Sequence, residues 1–205
     1  MDAHVLVPLK RLDRAKSRLA AALSPGERAT LMKVLLDGVV EAVRSAGVHR
    51  ITVVTSERLV DDRVETWCDR GLPWNAALEA AMREVVSAEI ATVIAADLPF
   101  VEPDDVDALV AATPEVGVAI ARARDGGTNA VSLRPPGALR TCFGAAASSA
   151  RHAEAAAASH LDHVVLDRRG LAFDVDTPED LASMRRAWNG ARRAELRTVG
   201  TEVGH

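Results

Sequence analysis

Short apolar runs alternate along this chain with longer stretches in which apolar residues recur at helical spacing. Val5 to Pro8, Ile51 to Thr55, Thr92 to Ala96, Val116 to Ala121, Asn129 to Leu133 and His163 to Asp167 read as strands. Thr92 to Ala96, flanked by a turn and a helix start, suits an interior strand of a parallel sheet. Between the first two strands Leu31, Val34, Leu35, Val39, Ala42 and Val43 fall on one helical face. Ser24-Pro25-Gly26-Glu27 is a capping box with proline at the first helical position, and Gly47 closes the helix. Two strands joined by this helix make a right-handed βαβ unit, the start of a doubly wound sheet. Further helices are predicted over NAALEAAMREVVSA from Asn75, over DDVDALVAA after Glu102-Pro103, from the serines at 148 and 149, and after Thr177-Pro178-Glu179-Asp180. Ser56 to Trp74 shows no period and reads as loop. The predicted class is α/β: one domain over residues 1–190, a mostly parallel mixed sheet with helices on both faces. The polar, cationic residues 191–205 are expected to form a disordered tail.

Composition changes this picture little. With 48% apolar and 26% charged residues the chain is an ordinary globular one, and without tyrosine its core must be Val, Leu, Ile and Ala. A net charge of −4 argues against non-specific nucleic-acid binding. Cys68 and Cys142 show no metal or redox spacing and are expected to be reduced and structural. No apolar run approaches the roughly 20 residues of a membrane span, and MDAHVLVPLK lacks the layout of a signal peptide. The expected location is the cytoplasm. None of the six histidines has a partner at metal-ligand spacing, so none is expected to be a ligand.

Charge placement carries the candidate chemistry. The strand at Thr92 ends on Asp97, followed at once by Leu98-Pro99. Ligands of open α/β sheets bind outside the carboxyl ends of the strands, so Asp97 either holds a metal on a phosphorylated substrate or simply turns the chain. After the first strand come Lys10, Arg11, Arg14, Lys16 and Arg18, with no glycine among them. That excludes a P-loop and a dinucleotide fingerprint; side chains would have to meet a triphosphate, or the loop is a solvated charged one. Asp174 and Asp176 flank Val175, so in an extended segment both carboxylates point the same way. Asn75 either caps its helix or presents its amide to a base or ribose. Asp125 to Thr128 either turn a hairpin or offer N–H groups and a hydroxyl to an anion. Serines entering a helix with Arg151 one turn in are a candidate phosphate or carboxylate site.

Strand-end carboxylates with an N-terminal cationic loop suit nucleotidyl transfer. Asp97 and Asp174 would meet around a hydrated Mg²⁺ while Lys16 holds the departing pyrophosphate. An acceptor that is itself a phosphate is already an anionic nucleophile. It needs no general base, which fits a chain with no Ser–His or Cys–His arrangement. Spacing alone does not name the nucleotide or the acceptor.

The stretches VPLKRLDRAKSRLAAALSPGERATL, NAALEAA, AADLPFVEPDDVDAL, GGTNAVSLRPPGA, FGAAASSARH and DVDTPEDL resemble, in order, the CofC/FbiD family of guanylyltransferases. They cover most of residues 5–185; the first and the FG…SARH stretch are the most specific. The resemblance implies a glycosyltransferase-A-like nucleotidyltransferase fold. It also implies transfer of GMP from GTP to 2-phospho-L-lactate, phosphoenolpyruvate or 3-phosphoglycerate, on the way to coenzyme F-420. By position it implies Asp97 and Asp174 as Mg²⁺ ligands with Asp176 beside them. Lys10, Arg11, Lys16, Arg18 and Asn75 fall on the nucleotide side, and Thr128, Gly144 and Ser148 on the acceptor. Two loops depart from the family's pattern. GAAASSARH follows Phe143 where Gly-Pro-Gly or Gly-Pro-Asp is usual, and Ser56–Trp74 is shortened. They leave open a related enzyme acting on another phosphate or phosphonate carboxylate, and a non-catalytic nucleotide binder. Molybdopterin guanylyltransferases share the fold, but their glycine-rich first loop is missing here. Arg185, Arg186, Arg192 and Arg193 are either a homodimer surface or a solvated face.

Overall fold

The first predicted helix forms where its punctuation places it. Ser24 Oγ accepts from the Glu27 amide at 3.3 Å, Glu27 Oε2 accepts from the Ser24 amide at 2.8 Å, and α1 runs Pro25–Ser45. Gly47 follows at φ 78°, the left-handed conformation that ends a helix readily only at glycine. Val34 is 48% exposed, and Met32, Leu36 and Val40 complete the buried face in its place. The computed structural model describes residues 2–12, 15–59, 61–85 and 87–199, the last ten as backbone.

Seven strands form one sheet: β1 (Ala3–Pro8), β2 (Arg50–Thr55), β3 (Glu65–Cys68), β4 (Ile90–Ile94), β5 (Gly117–Arg122), β6 (Thr128–Arg134) and β7 (Asp162–Leu166). Their order is β3-β2-β1-β4-β6-β5-β7, and β6 is antiparallel to both its neighbours while the other pairings are parallel. The helices after α1 are α2 (Trp74–Met82), α3 (Pro103–Ala111), α4 (Ser148–Ala158), the single turn α5 (Arg169–Ala172) and α6 (Pro178–Val199). Alternation along the central strands feeds both faces. Val5 and Val7 of β1 pack with α1, α3 and Leu181 and Met184 of α6. Leu6 packs on the other side with Leu78 and Met82 of α2 and Ala156 of α4. The predicted α/β architecture is the observed one.

Three differences from the sequence reading stand out, the first two with physical causes. Within Ser56–Trp74, read as loop, Glu65–Cys68 pairs with β2 as an edge strand; its side chains are mostly exposed, so it carries no hydrophobic signal. α2 stops at Met82, six residues short of Ala88. Glu84 and Val85 bond back three residues, to Ala81 and Met82, and the tightened turn drops Val85 into the core. α6 continues as backbone to Val199, past the boundary at 190, and 200–205 lie outside the described residues. Arg185 and Arg186 are exposed; the side chains of Arg192 and Arg193 lie outside the described residues. No described helix is long and apolar enough to cross a membrane.

Candidate active site

Chain direction reverses in sheet order at β1, where β2 lies to one side and β4 to the other. This is the switch point at which open α/β sheets leave a crevice beyond the carboxyl ends of their strands. Asp97 follows β4 there, and the loop carrying Lys10 to Arg18 follows β1. Because β6 runs antiparallel to β4, its first residue, Thr128, lies at the same end; the pairing runs on past β4, the Ala95 amide donating to the Asn129 carbonyl at 2.8 Å. A cleft of about 890 Å³ opens at this end, a size that suits a nucleotide with a small co-substrate.

One wall is charged. After α5 the chain is held to the sheet by Asn129 Nδ2, which donates to the Leu171 carbonyl at 2.9 Å, and by the Arg124 amide, which donates to that of Ala172 at 3.1 Å. Val175, fully buried, then anchors the segment between Asp174 and Asp176. Oxygens of Asp97, Asp174 and Asp176 all come within 4.8 Å of one another. Lys16 donates to Asp97 and, at 2.7 Å, to Asp176 Oδ1, its side chain only 6% exposed. Its backbone sits at φ 52°, an uncommon conformation for a lysine. Burial pulls the Lys16 ammonium's pKa down, but the charges of Asp97 and Asp176 and its hydrogen bonds to both outweigh that and hold it above the ordinary value. Asp174 lies above the ordinary carboxylate value, through burial first and then the charges of Asp97 and Asp176. Three carboxylates around one buried ammonium, one of them resisting ionisation, are a donor set that a divalent cation would relieve. Arg18, largely exposed, reaches Asp176 at 3.4 Å.

The opposite wall is neutral. Thr128 Oγ1 lies 3.0 Å from Ser148 Oγ and 3.1 Å from His152 Nδ1, and all three residues are buried. The loop Phe143–Ala147 closes this side; Gly144 turns it at φ 77°, and Ala147 takes φ 51° to start α4. Asn75 Nδ2 donates to the Phe143 carbonyl at 3.1 Å, and its Oδ1 accepts from the Phe143 amide at 2.9 Å. Its amide is therefore committed to holding this loop on α2, and Trp74, not Asn75, lines the cleft. Lys10 Nζ lies over the Trp74 ring, 5.0 Å from its centre.

Lys10, Lys16, Arg18, Asp97, Asp174, Asp176, Thr128 and Gly144 thus share one cleft. Ser148 stands behind Thr128. Arg11 and Arg151 are exposed and outside the lining. Of the two readings of Asp125–Thr128 the hairpin holds: Asp125 Oδ1 takes the Gly127 amide at 2.8 Å and the Ala123 carbonyl takes that of Gly126 at 3.0 Å. The hydroxyl of Thr128 is what remains for a ligand. His152 and Trp74 were not assigned to a site from the sequence. His152 has no metal-ligand spacing and works through residues of two other segments. Trp74 lay in the stretch without periodicity.

The family model described as "Guanylyl transferase CofC like" matches residues 3–204. A phosphoenolpyruvate guanylyltransferase of Sphaerobacter thermophilus is 41% identical over 193 residues, covering 90% of this chain and 93% of that protein. A 2-phospho-L-lactate guanylyltransferase of Haloarcula marismortui is 36% identical over 190 residues, covering 92% and 88%. Among solved structures, a nucleotidyl transferase from Methanothermobacter superposes with a TM-score of 0.66 at 17% identity, over 93% of this chain and 99% of that one.

Proposed function

The chain belongs to the CofC-like guanylyl transferase family, and from that premise we propose that it moves GMP from GTP to phosphoenolpyruvate or 2-phospho-L-lactate, in coenzyme F-420 biosynthesis. One observation carries the site assignment: a charged wall around Lys16 faces a neutral hydroxyl wall around Thr128 across a single cleft. An acceptor phosphate oxygen bonds to the α-phosphorus of GTP, and the bond from that phosphorus to the bridging oxygen breaks. Its electron pair leaves with pyrophosphate, and the product carries a diphosphate bridge. The nucleophile is already anionic, so no side chain has to take a proton from it. His152, buried with both ring nitrogens engaged, is in no position to act as a base.

Asp97 and Asp174, with Asp176 beside them, would hold Mg²⁺, which when bound supplies charge neutralisation at phosphate oxygens. Lys16 is held charged and aimed into the cleft, where it binds the pyrophosphate that departs. Lys10 and Arg18 extend positive charge along the triphosphate, and Asn75 fixes the Phe143–Ala147 loop on the neutral side. Thr128 and Gly144 take the acceptor; Ser148, expected beside them, is buried outside the cleft and donates to Thr128 instead. The enzyme acts in the cytoplasm on these small molecules, with residues 1–190 as its nucleotidyltransferase domain.

Pyrophosphate release with Mg²⁺ tests this, with GTP, ATP, CTP and UTP each paired with phosphoenolpyruvate, 2-phospho-L-lactate and 3-phosphoglycerate. Release with GTP and phosphoenolpyruvate is expected, since the 41% relative bears that name. Folded protein that binds GTP but releases pyrophosphate with none of the three would favour a different phosphate or phosphonate carboxylate, for which the altered loop at Gly144–Ser149 is the motive.

A further inference from the structure

The buried imidazole of His152 lies just behind the neutral wall, and its proton can be placed from its neighbours. Cys142's amide donates to His152 Nε2 at 2.9 Å, so that nitrogen presents a lone pair. The ring is fully buried, and desolvation, only partly offset by a bond to the Ser148 backbone, lowers its pKa from 6.5 to about 4, so it is neutral at working pH. A neutral ring with a lone pair on Nε2 carries its proton on Nδ1, and Nδ1 faces Thr128 Oγ1 at 3.1 Å. Ser148 Oγ donates to the same oxygen at 3.0 Å. Thr128 thereby accepts twice. Its own hydroxyl proton must point elsewhere, and Thr128 lines the cleft.

We propose that His152 is a positioning residue: with Ser148 it fills both lone pairs of Thr128 Oγ1 and so fixes the Thr128 O–H as a donor aimed at an anionic oxygen of the acceptor. This rests on the reading that the acceptor lies against Thr128. A free threonine hydroxyl rotates and can present either a proton or a lone pair; only the proton suits a carboxylate or phosphate oxygen. Pinning the rotor removes the wrong orientation before the substrate arrives and avoids the cost of ordering it on binding. The same ring holds the Cys142 amide, which fixes the start of the Phe143–Gly144 loop against the site. Phe143 packs edge-on to it, with centroids 5.3 Å apart.

Steady-state kinetics separate this role from bulk packing. The acceptor is whichever of phosphoenolpyruvate, 2-phospho-L-lactate and 3-phosphoglycerate the wild-type chain uses. Thr128→Val removes the donor and should raise the acceptor KM about tenfold to a hundredfold, the range for a hydrogen bond to a charged group. His152→Gln keeps an acceptor for the Cys142 amide but lacks the Nδ1–H; it should raise the same KM by a comparable factor and leave the GTP KM within about twofold. The double variant should be no worse than Thr128→Val alone, because both act on one bond. His152→Asn, whose amide can stand near the Nδ1 position as a donor, should recover most of the loss. A wild-type acceptor KM in His152→Gln, beside a raised one in Thr128→Val, overturns the positioning role and leaves the acceptor site standing. An unchanged KM in Thr128→Val overturns the acceptor site itself. Losses that add in the double variant, or that fall equally on GTP, also overturn the positioning role. If His152→Gln does not fold, His152→Leu takes its place: a raised acceptor KM that His152→Asn restores supports the role, and a wild-type acceptor KM overturns it.

Discussion

The two walls of the cleft solve opposite problems. Around Lys16 the groups are charged and close: three carboxylates within 4.8 Å and an ammonium that bridges two of them. Around Thr128 the groups are neutral and buried, a chain from the Cys142 amide through His152 to Thr128 and Ser148 that leaves only the Thr128 hydroxyl proton unspent. Charge in the proposed reaction moves on the triphosphate side, where an anion departs, and a wall of unneutralised charge can respond to that. The acceptor side needs orientation, and a buried neutral network gives orientation without attracting counter-ions. In the proposed reaction the two ends would meet their anions differently, one with charge and the other with fixed dipoles.

Variants break this contrast in descending order of effect. Asp97→Asn should lower kcat at least about a thousandfold, roughly 4 kcal/mol of transition-state stabilisation, with circular dichroism and Tm near wild type, since Asp97 is partly exposed and contributes little packing. Turnover near wild type would refute the assigned site. Lys16→Met should cost about a hundredfold in kcat/KM for GTP, near 3 kcal/mol, with a smaller change in acceptor KM. It also leaves Asp97 and Asp176 without their cation, so Mg²⁺ should raise the Tm of this variant more than that of the wild type.

The neutral wall has its own signature in acid. The unfolded chain protonates His152 near pH 6.5 and the folded chain only at about 4. Stability from the neutral ring is therefore complete above 6.5 and is lost as pH falls towards 4, by up to about 3 kcal/mol. Chemical denaturation at pH 7 and pH 4.5 should show this loss in the wild type and a shallower one in His152→Gln. A pH slope unaltered by the substitution would mean the ring is solvated. Smallest of all, Arg18→Ala should raise the GTP KM only a few-fold, because Arg18 is exposed and its pairing with Asp176 is screened. That few-fold effect should vanish at high salt.

Much of this was legible in the sequence wherever the signal was local. Ser24 with Glu27, and Thr177 with Asp180, set helix starts through bonds three residues apart, and both form as expected. Buried strands announced themselves because an apolar run reports burial on both faces. Asp97 and the Asp174–Asp176 pair stood out by their place at element ends. By contrast β3, a mostly exposed edge strand, had little local to mark it, since only Trp67 packs on the core and the rest is backbone pairing with β2. Asn75 was rightly placed at a helix start, but its partner is Phe143, 68 residues on.

The sequence by itself determined the α/β fold, the helix starts, the carboxylates and cations of the charged wall and, through its matched motifs, the family. These rest on near-neighbour physics, capping and periodicity, or on residue type alone. Only the tertiary structure decided that Lys16 bridges Asp97 and Asp176, that the Asp125–Thr128 hairpin spends its amides on itself, and that His152 stands behind Thr128. Each of these depends on which strands lie side by side. That order follows from burying both faces of one sheet at once, a condition on the whole chain that no short window contains.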